Sequence, residues 1–88
     1  MKKIYMTKRT TEIDNFYETK DAEHSELLYA SEQVIDSYTW VGNICYLLFE
    51  NKDSCEQVLR KHLKGELTLN SKKYIEARRT IRHILRSK

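Results

Sequence analysis

The sequence predicts an all-α fold: a small bundle of three to four helices with a long central helix. Three observations carry that prediction. The 88 residues include two glycines and no proline, too few turn formers for a β-sandwich or meander, whose turns need a positive or a fixed φ. Ser25, Glu32, Asp36, Thr39, Asn43 and Glu50 fall on one stripe at 100° per residue, while Leu27, Ser31, Val34, Tyr38, Val41, Cys45 and Leu48 recur every three or four residues on the other side. Matched start and stop signals mark further helices downstream.

Taken in order, residues 1–10 read as an extended basic arm or short strand, with Lys2, Lys3, Lys8 and Arg9 around Ile4-Tyr5-Met6. Ile13, Phe16 and Tyr17 have i, i+3, i+4 spacing, which predicts a short amphipathic helix near 11–19. Asp21 suits a helix N-cap, and Glu23 and Glu26 follow in the first two turns, where negative charge complements the helix dipole. The central helix is expected over 22–51. Gly42-Asn43 between β-prone runs offers a minor alternative, an α+β fold with a hairpin at 37–49. The helical phase runs unbroken across Gly42, so the helix is preferred, with the glycine costing about 1 kcal/mol and marking a bend. Thirty helical residues would span about 45 Å, more than a domain of this size covers, and that length suggests a homodimer.

Asp53-Ser-Cys-Glu56 has the pattern of a capping box and opens a helix over 53–64 with Cys55, Val58, Leu59, His62 and Leu63 inward. Gly65 is its stop. After the connector 66–70, Asn70 or Ser71 caps a last helix over 71–87, whose inner sector is Tyr74, Ala77, Ile81, Ile84 and Leu85. One core, and so a single domain over 1–88, is all this length supports.

Composition narrows the function classes. Met1-Lys2-Lys3 is followed by only three apolar residues before Thr7-Lys8-Arg9, and no run approaches a membrane span, so the expectation is a cytoplasmic protein with no membrane partner. Cys45 and Cys55 then read as small buried hydrophobes. No phosphate-binding loop, dinucleotide fingerprint or nucleophile elbow is present, and His24, His62, His83, Cys45 and Cys55 lack zinc-ligand spacing. The expectation is no enzyme, no metal and no cofactor.

Charge layout is the strongest functional signal. Between Glu12 and Asp36 eight acidic residues face one lysine, a net of −7; between Arg60 and Lys88 ten basic residues face two acidic ones, a net of +8. The overall +3 conceals this division. On the last helix Arg78, Arg82 and Arg86 form an i, i+4 ladder, continued by Lys72, Arg79 and His83. Like charges at that spacing cost a few tenths of a kcal/mol per pair, so an anionic partner is expected to offset them. The acidic counterpart is placed on Glu23, Glu26, Glu32 and Asp36. The function expected is that of a non-enzymatic regulatory or inhibitory protein acting by protein–protein contact through these opposed surfaces. The alternative is a nucleic-acid-binding regulator using the basic last helix. Six tyrosines in so short a chain serve either amphipathic packing or an interface.

Overall fold

In the computed structural model, which describes residues 15–88, the segment expected to form one long helix stops at Ser31 and continues as a β-hairpin. The order of elements is β1 (Phe16–Thr19), α1 (Ala22–Ala30), β2 (Ile35–Val41), β3 (Ile44–Glu50), α2 (Lys52–Leu63) and α3 (Ser71–Leu85). The fold is therefore α+β and not the expected all-α bundle. The strands form one antiparallel sheet in the order β1-β3-β2.

Local chemistry explains each departure. Val34, Ile35, Tyr38, Thr39, Trp40 and Val41, then Ile44, Tyr46 and Phe49, are β-branched or aromatic residues that fit a pleated surface better than a helix. Gly42 has φ 62° and is the one of the two turn residues in the left-handed region. That is the first central position of a type II′ turn, where glycine avoids the Cβ clash and the turn's twist matches the strands. Register follows from it, with Val41 opposite Ile44, Trp40 opposite Cys45 and Thr39 opposite Tyr46. Along β3, Cys45, Leu47 and Phe49 alternate onto the helix-covered face and are buried. The residues at helical phase in this segment were a coincidence of spacing; the strand alternation sets which side chains face the helices, while Leu48 on the other face is buried as well.

The helix expected near 11–19 gives way to β1 over its last residues. Tyr17 sits opposite Phe49 and Thr19 opposite Leu47, so both share the core face. Residues 11–14, and the arm or strand expected over 1–10, lie outside the described residues.

The predicted helix ends fare better. Asp21 caps α1, its Oδ1 accepting from the His24 amide at 2.9 Å. Asn70 caps α3, accepting from the Lys72 and Lys73 amides at 2.9 and 3.1 Å. At α2 the cap lies two residues earlier than the capping-box pattern indicates: Asn51, at φ 63°, accepts from the Ser54 amide, and Asp53 falls in the first turn. Gly65, at φ 72°, ends α2 in a Schellman arrangement, with its amide donating to the His62 carbonyl and that of Glu66 to Lys61.

The three described helices all cover one face of the sheet. Leu28 of α1, Cys55 of α2 and Ile81 of α3 meet Cys45, Leu47 and Phe49 in the buried core. Val58 and Leu59 pack at its edge, whereas Leu63, expected inside, is 82% exposed at the end of α2. Gln33 ties the α1–β2 connection to the start of α2: its Nε2 donates to Ser54 Oγ at 2.9 Å, and the Cys55 thiol donates to its Oε1 at 3.7 Å. Burial, and then the neighbouring Glu56, push the Cys55 thiol up to about 11, so it stays protonated and unreactive.

Candidate binding surfaces

α3 decides where the charges stand. Ala77 and Ile81 are buried completely and Tyr74, Ile84 and Leu85 partly, so the side of the helix facing α1 and the sheet is the one its apolar sector predicts. At 100° per residue the opposite side must then carry positions 72, 75, 78, 79, 82, 83 and 86. Ile75, Arg78, Arg79, Arg82, His83 and Arg86 line a shallow groove of about 350 Å³ along it. Five of the six residues expected in the basic surface are thus brought together. Lys72 lies one turn before Ile75, outside the groove. Among the described residues none of the four arginines has a carboxylate within 4.0 Å.

The acidic set does not form one face. That grouping depended on a continuous helix through residue 36, and the chain turns before it. Glu23 stands exposed in the first turn of α1. Glu26 is half-buried and its Oε1 accepts from Tyr74 Oη of α3 at 3.5 Å. Glu32 follows α1 and pairs with Lys73 of α3. Asp36 lies on β2 at the irregularity between Ile35 and Ser37. Part of the acidic segment is therefore matched internally by α3, through Lys73 and Tyr74 and not through the arginines.

A second, larger groove of about 730 Å³ opens on the other flank of α3, between that helix, the end of α1 and strand β2. Glu32, Asp36, Glu76 and Lys73 stand around it with the exposed Tyr29, Val34 and Tyr38. Glu76 is the member that sequence reasoning missed. Its place, three residues from Lys73 on the same helix, was the available signal, and the groove itself exists only because β2 is a strand.

Glu32 has a backbone of its own interest. Its φ is 69°, at the position after the helix cap that glycine usually fills. The Glu32 amide donates to the Tyr29 carbonyl and that of Gln33 to Leu28, completing a Schellman arrangement around a residue with a full side chain.

No protein-family model, curated protein or solved structure matches the chain.

Four further observations concern the remaining chemistry. Among the described residues no three His, Cys, Asp or Glu side chains gather where a metal ion would sit, and no helix is long and apolar enough to cross a membrane. α2 and α3 form no extended helix pair, since α3 packs chiefly on α1; a helix-turn-helix built from these two helices is not present. The cysteines are both buried and free.

Proposed function

We propose that this chain is a non-enzymatic binding protein, acting by protein–protein contact, and that the arginine groove of α3 receives an acidic surface of its partner. The observation that carries this reading is the alignment of Arg78, Arg79, Arg82 and Arg86 on one helical face, with no carboxylate among the described residues close enough to neutralise them. Guanidinium groups form bidentate bonds with carboxylates, and an array of them steers an acidic partner into register. Ile75, 54% exposed at one end of the groove, adds an apolar contact of the kind that protein interfaces use at their centre.

A nucleic-acid backbone is the second reading, supported by the same arginines, because phosphates take the same bidentate contacts. Two features weigh against it. α2 and α3, which follow one another along the chain, do not pack closely as the two helices of a helix-turn-helix would, and the groove on the opposite flank of α3 is rimmed by Glu32, Asp36 and Glu76, which a polyanion passing over the helix would meet.

One experiment separates the two. The wild-type chain and an Arg78→Ala, Arg82→Ala, Arg86→Ala variant are used to capture partners from nuclease-treated lysate and, in parallel, are titrated against duplex DNA and single-stranded RNA. The proposal expects a stoichiometric protein partner that the variant loses, and no nucleic-acid shift. A shift that weakens steeply between about 50 and 200 mM salt, and disappears in the variant, would replace the proposal with the nucleic-acid reading.

A further inference from the structure

The groove on the acidic flank of α3 has a wall that the proposed arginine contact does not use. Among the described residues β2 is an edge strand, with β3 as its one neighbour in the sheet. With a two-residue turn, Val41 and Ile44 form the hydrogen-bonded pair that closes the hairpin, and the alternation of an antiparallel ladder then places Thr39 opposite Tyr46 in the next such pair. The N–H and C=O of Tyr38 and Trp40 therefore point away from β3. Among the described residues no backbone group pairs with them on that side. Facing this open edge across the groove are Lys73, Glu76, Thr80 and Ile84 of α3. An unpaired strand edge beside a helix, with a groove of about 730 Å³ between, is the arrangement in which an extended peptide adds a strand to a sheet.

We propose that this groove binds an extended segment of a partner protein in which Lys or Arg alternates with apolar residues, added antiparallel or parallel to β2. Charge selects that chemistry. Glu32, Asp36 and Glu76 face Lys73 alone, and Lys73 is already committed to Glu32, so Asp36 and Glu76 stand without a basic partner among the described residues. The apolar half of the pattern follows from the rim, where Val34 is 53% and Tyr38 44% exposed: every second side chain of an added strand would lie against them or against half-buried Ile35 and Ile84. The bulge at Asp36 and the left-handed Glu32 both lie at the same end of β2. They break the edge there and leave Ser37–Val41 as the regular stretch that accepts a strand. Uniform pairing along the whole edge would invite association with any exposed strand, and the bulge confines it.

The test is fluorescence polarisation with three labelled octapeptides at low salt: alternating Lys and Val, alternating Glu and Val, and the Lys peptide with proline at its central Val. Circular dichroism confirms that each protein variant is folded. The expected result is saturable binding of the Lys peptide, with the Glu and proline peptides weaker by about tenfold or more. Changing Asp36→Lys and Glu76→Lys together should weaken the Lys peptide by a similar factor. The arginine triple variant should bind it as the wild type does, which keeps this inference separate from the arginine-groove reading. Failure of the Lys peptide to bind, equal binding by the charge-reversed variant, or equal binding of the proline peptide would each overturn the proposal. So would light scattering that shows the free chain paired through β2 and unavailable to peptide, which would assign the edge to a second copy.

Discussion

The two sides of α3 are made from one run of fifteen residues and serve opposite ends. Its inner side, Ala77 and Ile81, is excluded from water completely and joins α1, α2 and the sheet in one core. Its outer side gathers four arginines and a histidine at distances where like charges repel. Folding is favoured by the first and tolerates the second. A side that is kept at a small cost in stability is the side on which binding is to be sought, whereas the inner side accounts for why the helix exists at all.

The largest expected effect tests that division directly. Ile81→Ala removes a fully buried side chain and should cost about 2–5 kcal/mol in urea denaturation, a large part of the stability of so small a domain. Arg82→Ala, one residue along, should stay within about 0.5 kcal/mol. Equal losses at the two positions would show that the outer side is structural after all.

Next in size is a pH effect on the inner side. The Cys55 thiol is raised from 9.0 to about 11, first by burial and then by Glu56; burial raises Cys45, and it is the leading cause of the rise at Tyr17. Each group holds its proton more tightly folded than unfolded. Their contribution is complete below the unfolded value and is lost as pH rises through the folded one, so stability should fall between about pH 9 and 11. For Cys55 alone the loss is on the order of 2–3 kcal/mol. Comparing urea midpoints of wild type and Cys55→Ala across that window should show their difference narrowing as pH rises; a constant difference would show that the thiol does not titrate in this range.

Backbone positions come third and fourth. Gly65→Ala leaves the space around the new methyl open but imposes a left-handed backbone on an L residue, and should cost about 1 kcal/mol in thermal melts. Glu32→Gly is its mirror. Relief of a similar backbone penalty exceeds the loss of an exposed ion pair worth a few tenths of a kcal/mol, so the variant should be more stable by about 0.5 kcal/mol. Glycine at this position would strengthen the fold and remove a carboxylate from the second groove, the same opposition of stability and binding that divides α3.

How legible was all this in the residues themselves? The caps at Asp21 and Asn70 and the stop at Gly65 were readable because each is a bond or a backbone angle within three or four residues of one another. The inner sector of α3 was readable because its period extends over the whole helix. The arginine groove followed from that sector as its complement. The sheet was not readable in the same way. Residues 34–50 satisfy a helical phase and a strand alternation together, and the signal at Gly42-Asn43 was correct but local. What tipped the balance was β1, whose Tyr17 and Thr19 pair with Phe49 and Leu47 some thirty residues later, a contact that no window of ordinary length contains. Once the hairpin was taken as helix, Glu32 and Asp36 were assigned to a face that does not exist, and the second groove with Glu76 had no walls from which to be inferred.

The sequence by itself determined the caps at Asp21 and Asn70, the stop at Gly65, the buried side of the last helix and the clustering of its arginines, because these depend on short-range bonds and on a period fixed by helix geometry. Tertiary structure decided between the helical phase and the strand alternation that residues 35–50 both carry, and with it that the acidic residues separate and that an open strand edge faces α3. Those outcomes rest on pairing between distant segments, where burial of Phe49 and Leu47 against helices on one face adds to the local strand preference and outweighs the helical phase.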